Sequence, residues 1–312
     1  MPGEQITKLR GTIGVCVLVF AAIILAAPAK AAPADCGAHG DSSTMLVSTG
    51  WLAEHLHDPN VVILSVGMDG DYEKGHIPGA LLLRYDSVFT ESNGLTMELR
   101  PMPELKETFQ RLGVTNDSHI ILYYANAHMA APAARASMTL DAMGLGAHAS
   151  LLDGGYELWL SEGRPVTTDV RAVTAGTLDI CPRSDVVVDV NYVKSNLNRA
   201  GVHIVDARLP QFYTGAEKPD GQRRGHIPGA SNIPYTSVVE ENGKLKSSGE
   251  LQSLFHAAGI KPGDRVVSYC HIGQQASLLY FIARYLGYDA RLFDGSWQDW
   301  SRHADLPAEE SR

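Results

Sequence analysis

One hexapeptide occurs twice in this chain: Gly-His-Ile-Pro-Gly-Ala stands at 75–80 and again at 225–230. A longer echo follows each copy, Asp153-Gly-Gly-Tyr-Glu-Leu-Trp159 in the first and Asp294-Gly-Ser-Trp-Gln-Asp-Trp300 in the second. Two matched pairs in one order imply a duplicated domain. Tyr72 and Tyr213 share the 141-residue spacing of the longer echo, whereas the hexapeptides are 150 apart, so the later copy carries about nine extra residues near 214–224.

Each copy alternates short apolar runs with helix-period stretches. The second reads as strands at 202–205, 265–269 and 290–293 with helices at 248–258, 275–286 and 296–302. The first matches it with strands at 61–66, 120–123 and 150–152 and helices at 103–112, 131–143 and 156–161. Strand-helix alternation builds a parallel sheet with helices on both faces, so two α/β domains in tandem are expected. They span 44–165 and 184–312, joined by a linker at 166–183 that lacks a sustained period and carries Thr, Gly and Pro.

The first 31 residues read as an export signal rather than as part of the fold. Lys8 and Arg10 precede an uncharged apolar run over 11–29, and Ala29-Lys30-Ala31 has the small-x-small pattern of a cleavage site. The alternative is an uncleaved membrane anchor, since the run approaches the minimum length of a span. No lipobox precedes Cys36, so cleavage after Ala31 leaves a tail at 32–43 and a periplasmic or secreted product with no stable membrane partner. The formal net charge of −9 gives no electrostatic reason to expect nucleic acid as a partner. Nothing in the sequence sets the oligomeric state.

The sharpest chemical signal is Cys270. It ends the apolar run Val266-Val-Ser-Tyr269, is followed by His271-Ile-Gly-Gln-Gln275, and then by the apolar helical stretch from Ala276. A strand, a tight loop and a helix place the sulfur at the carboxyl end of a parallel sheet, where ligands bind. Loop amides and the helix N-terminus then point at the sulfur and favour an anion there, which is expected to lower the thiol pKa. The alternative is a structural cysteine buried at a strand end. In the first copy Tyr124 takes the place of Cys270, and Ser65 and Gly67 take those of Asp206 and Arg208.

With Asp206-Ala-Arg208 closing a strand, the hexapeptide in both halves, the loop Cys-His-Ile-Gly-Gln-Gln and the paired Asp-Gly echoes, the sequence resembles the tandem-domain rhodanese family of thiosulfate and 3-mercaptopyruvate sulfurtransferases. The resemblance covers nearly all of the chain after the signal. It implies one catalytic domain, the second, and one that has lost its nucleophile. It also implies a two-step sulfur relay: the Cys270 thiolate takes the sulfane sulfur of a small-molecule donor, and the amides of His271, Ile272, Gly273, Gln274, Gln275 and Ala276 cradle the persulfide. Cyanide or a thiol then removes the sulfur. No metal or organic cofactor is needed.

Donor choice is less determined. Phe212 stands where many members of the family have arginine, in a stretch that here reads Asp-Ala-Arg-Leu-Pro-Gln-Phe-Tyr-Thr-Gly. Arg223 and Arg224 would supply the missing positive charge, which makes thiosulfate the expected donor and 3-mercaptopyruvate the second; the alternative for that pair is an exposed basic loop. His271 would add a partial positive charge. Arg135 follows a loop in the first copy, 125–132, about five residues longer than its counterpart, and would reach the cleft from there or serve as a structural arginine. Asp206 and Arg208 are expected to pair and hold the loop's shape. His76 and His226 occupy the same turn in both copies, so turn geometry explains them better than catalysis does.

If Cys36 pairs with Cys181, Cys270 stays free once Cys16 leaves with the signal. A cysteine phosphatase would need an arginine where this chain has Ala276, and no Cys or His pair has metal-ligand spacing. The remaining alternative is a non-catalytic rhodanese-like module for binding or redox sensing.

Overall fold

The computed structural model describes residues 1–3, 42–126 and 130–311. The chain divides into two units, Met1–Pro33 and Ala34–Arg312, and the described part of the first is confined to its three opening residues. The export signal, the tail with Cys36 and part of the long loop of the first copy lie outside the described residues. Among those described, no helix is long and apolar enough to cross a membrane.

The first half runs β1 (Leu46–Val47), α1 (Thr49–His55), β2 (Val61–Gly67), α2 (Asp69–Lys74), β3 (Leu81–Arg84), β4 (Phe89–Ser92), β5 (Leu95–Leu99), α3 (Met102–Arg111), β6 (His119–Tyr124), α4 (Ala130–Ala142), β7 (Ala149–Leu152) and α5 (Gly155–Ser161). The second runs β8 (Val187–Val188), α6 (Val190–Ser195), β9 (Val202–Asp206), α7 (Pro210–Thr214), β10 (Ser231–Asn232), α8 (Ser248–Ala257), β11 (Arg265–Tyr269), α9 (Gln274–Tyr285), β12 (Asp289–Phe293) and α10 (Ser296–Trp300). Each half holds a five-stranded sheet, parallel throughout, in the orders β1-β7-β6-β2-β3 and β8-β12-β11-β9-β10. The expected α/β pair of domains is what the chain forms. The edge strands, α1, α2, α6, α7 and the antiparallel β4–β5 ribbon are additions to the elements read from periodicity.

Register confirms how the copies correspond. Ser65 lies opposite Tyr123, and Asp206 lies opposite Tyr269. The shared residues make the same bonds twice. Tyr72 Oη donates to the Ala80 carbonyl at 2.8 Å and Tyr213 Oη to the Ala230 carbonyl at 2.7 Å. The rings of His76 and His226 stack on those tyrosines at 3.8 Å in both copies. Trp159 and Trp300 each donate the indole N–H to a proline carbonyl, that of Pro165 or Pro307. Both histidines are therefore turn-formers.

The strands are apolar on both faces, as parallel strands covered on two sides must be. Successive residues of β11 alternate: Val267 and Tyr269 pack into a core private to the second half with Trp297 and Trp300, whereas Val266 and Cys270 face a larger core. That larger core also contains Leu64, Leu122 and Leu140 of the first half. Period-two alternation thus turns Cys270 toward the other domain.

Candidate active site

β11 ends at Tyr269, and Gly273 allows the chain to turn at once into α9 because it adopts φ +90, a conformation costly for residues with a Cβ. The Cys270 N–H donates to Ser296 Oγ at 3.1 Å, and the Cys270 carbonyl accepts from the Trp297 N–H at 3.0 Å. The Ser268 hydroxyl donates to the Ala276 carbonyl at 3.0 Å, and that of Ser277 to the Gly273 carbonyl at 2.8 Å. These bonds fix the loop from both sides.

The main-chain N–H groups of Ala276, Ile272, Gly273 and Gln275 act on the sulfur and pull its pKa down, but Cys270 is 0 % exposed and burial outweighs them, so the thiol is pushed up overall. The expected net lowering is reversed because the closed site excludes the water that would also solvate a thiolate.

Asp206 and Arg208 do pair, and both are fully buried. Arg208 Nε reaches the two carboxylate oxygens at 2.9 and 3.0 Å, and Nη2 donates to Asp206 Oδ2 at 2.5 Å and to the Gly225 carbonyl at 2.8 Å. The guanidinium lies over the Trp297 ring at 4.8 Å, close enough to Cys270 for the two charges to interact. Nη1 is buried without a protein hydrogen-bond partner.

The other expected cations are engaged elsewhere. Arg223 donates to the Leu306 carbonyl at 2.7 Å and the Trp300 carbonyl at 3.1 Å, and Arg224 donates to the carbonyls of Gly215 and Ala216. Arg135 is fully buried and forms an ion pair with Asp294 across the two halves. His271 is held neutral near pH 7, its pKa lowered to about 4 by burial first and by the Arg208 charge second, so it adds no positive charge. Its ring meets the edge of Phe212 at 4.7 Å and 88°. Arg208 is thus the arginine whose charge acts beside the sulfur with a guanidinium nitrogen unspent.

Sequence reasoning missed Ser296 and Asp294 because their contacts join segments more than twenty residues apart. It also missed Tyr85, a half-buried tyrosine of the first half that faces Cys270 closely enough for burial, and then the sulfur's charge, to raise its pKa. Tyr235, 150 residues on, is the repeat's counterpart and lines a cavity of about 400 Å³ on the first half's corresponding side. There Tyr124 fills the place of the sulfur, its hydroxyl donating to the Gly243 carbonyl at 2.6 Å. Cys181 is disulfide-bonded, and Cys270 is free. Among the described residues no cluster of His, Cys, Asp and Glu has the composition to hold a metal ion.

The rhodanese-like domain model matches residues 48–162 and 189–303. The sulfur carrier protein TtuD of Thermus thermophilus is 33% identical over 281 residues, 84% of this chain and 95% of the relative. The 3-mercaptopyruvate sulfurtransferase of Escherichia coli K12 is 32% identical over 288 residues, covering 86% and 99%. Among solved structures, EanB in complex with ergothioneine superposes with a TM-score of 0.78 at 21% identity, covering 87% of this chain and 71% of that one. With the family model matched once to each half and two parallel sheets in the same strand order, the chain belongs to the tandem-domain rhodanese family.

Proposed function

We propose that this protein is a sulfurtransferase that carries sulfane sulfur as a persulfide on Cys270, taking it from thiosulfate or 3-mercaptopyruvate and giving it to cyanide or a thiol. Sulfur transfer in general is the activity named for its relatives at about 30% identity. The observation that carries the reading is the free Cys270 at the end of β11 with four main-chain N–H groups on its sulfur, against Tyr124 in the other copy. With thiosulfate, the thiolate attacks the outer sulfur, the S–S bond breaks, and sulfite leaves with the electron pair. Cyanide then attacks the terminal persulfide sulfur, thiocyanate departs, and the thiolate is restored. The amides hold negative charge on sulfur in both steps.

One observation favours the non-catalytic alternative: Cys270 is closed from solvent and its thiol is pushed up. Comparing both donors with the protein and with Cys270→Ser separates the two. Thiocyanate formation that vanishes in Cys270→Ser supports the enzyme. No transfer from either donor, with Cys270 shown reduced, supports the binding or sensing module. We also propose that residues 1–31 direct export, which N-terminal sequencing of the mature product checks.

A further inference from the structure

The turn of the Cys270 loop rests on Asp294 of its own half, and Asp294 is held by a side chain from the half that has no nucleophile. A Cβ placed on Gly273 would come within 2.8 Å of the Asp294 carbonyl oxygen, 2.9 Å of Asp294 Oδ1 and 3.1 Å of Arg135 Nη1. Arg135 projects from α4 of the first half, and both terminal nitrogens of its guanidinium are engaged: Nη1 pairs with Asp294 Oδ1, and Nη2 donates to Asp294 Oδ2 at 3.2 Å and to the Met97 carbonyl at 2.8 Å. The same carboxylate accepts the Leu99 N–H, from β5 of the first half, at 2.7 Å.

The pseudo-symmetric site lacks this clamp. Counting back from the ends of α4 and α9, the position of Arg135 is taken by Leu278. Asp153, the counterpart of Asp294, accepts the Leu245 N–H at 3.0 Å and has Lys244 at 3.7 Å instead of a buried arginine fork. The arginine therefore serves the side where the sulfur is, not the interface in general.

We infer that Arg135 is a positioning residue for Cys270: by fixing Asp294 beneath Gly273 it keeps the loop's N–H groups directed at the sulfur, so the non-catalytic domain supplies part of the active site. The inference deepens the sulfurtransferase reading, since it names what that reaction requires from the first half. A planar fork is needed because two carboxylate oxygens and a carbonyl are held at once.

The test is the pH dependence of Cys270 alkylation by iodoacetamide in the full chain, which needs no turnover. Arg135→Met is expected to raise the midpoint by about one pH unit, a tenfold smaller thiolate fraction at a given pH, because sulfur-directed donors are lost. Arg135→Lys keeps the charge without the fork and is expected to fall between. Tyr124→Phe, which removes an interdomain bond on the opposite side, is expected to leave the midpoint unchanged. Near-UV circular dichroism reports folding. If Arg135→Met does not fold, Arg135→Lys decides: a wild-type midpoint in a folded Arg135 variant overturns the inference, as does an equal shift in Tyr124→Phe. A shifted midpoint in a protein that transfers no sulfur would keep the positioning role and reject the sulfurtransferase reading.

Discussion

Ser296 adopts φ +54, a conformation in which the first copy has Gly155 at φ +56. A side chain there costs about 1–2 kcal/mol. The chain bears that cost where the Ser296 hydroxyl accepts the Cys270 N–H and, as a donor, closes on the Phe293 carbonyl. In the first copy a Cβ on Gly155 would lie 2.6 Å from the Tyr124 carbonyl oxygen and 2.8 Å from its ring, so both backbone and side chain at the strand end leave room only for glycine at the turn. Ser296→Gly is expected to keep the thermal midpoint within a few degrees of wild type, because relieved strain offsets the lost hydrogen bond. Its kcat/KM should nevertheless fall about tenfold, the order of one unmet buried donor. Steady-state kinetics beside a thermal melt checks both halves of that statement. Cys270 and the Asp206–Arg208 pair were legible because strand, loop and helix are contiguous around the one and a single residue separates the members of the other. Ser296 was not, because its role exists only through a contact 26 residues away.

At the scale of elements, the β4–β5 ribbon is a regular two-stranded hairpin where the other copy closes a shorter one, with Val239 bridged antiparallel to Leu245 and the Glu240 N–H donating to the Lys244 carbonyl at 2.8 Å. Asn93 and Gly94 supply the two positive φ values, +52 and +73, that a tight hairpin turn requires. Its strands are short, and its anchors lie in the second half: the Thr96 N–H donates to Gln298 Oε1 at 3.1 Å, and Arg302 donates to the Asn93 carbonyl at 2.8 Å. No local pattern encodes such a docking, which is why periodicity reveals the central strands and misses this one. The docking places Glu98 near Asp294 and Asp299, and burial first, then these charges, push its pKa from 4.5 up to about 7. A carboxyl raised in the folded state carries no penalty below pH 4.5, acquires it as pH rises, and bears it fully above pH 7. Glu98→Gln should therefore melt higher than wild type at about pH 8 and with little difference at about pH 5. Melts at the two pH values that showed the same difference would contradict this account of Glu98.

At the scale of the whole molecule, the two domains are joined by more than a linker. Every residue of α4 is buried, its run of small side chains lets it lie against α9, and one apolar cluster passes through both halves. Asp141 on α4 binds Tyr280 and Arg284 on α9 and Arg183 at the end of the linker, a buried charge whose partners lie outside the first half. Unfolding is therefore expected to be a single cooperative transition, with tryptophan fluorescence and far-UV circular dichroism coinciding; two separated transitions would show that the halves are independent. The repeat and the strand-helix alternation made the architecture readable in advance. Which face of each sheet meets its neighbour was not readable, since both faces of these strands are apolar. The pairing of Tyr124 with Gly155 and of Cys270 with Ser296 also has a consequence for substitution. Replacing Tyr124 by cysteine alone would leave a sulfur with no hydroxyl at residue 155 to hold its amide, and replacing Gly155 by serine alone would drive an atom into the tyrosine. Restoring in the first copy the bond that Ser296 makes in the second therefore takes two coupled changes, at Tyr124 and at Gly155, rather than one.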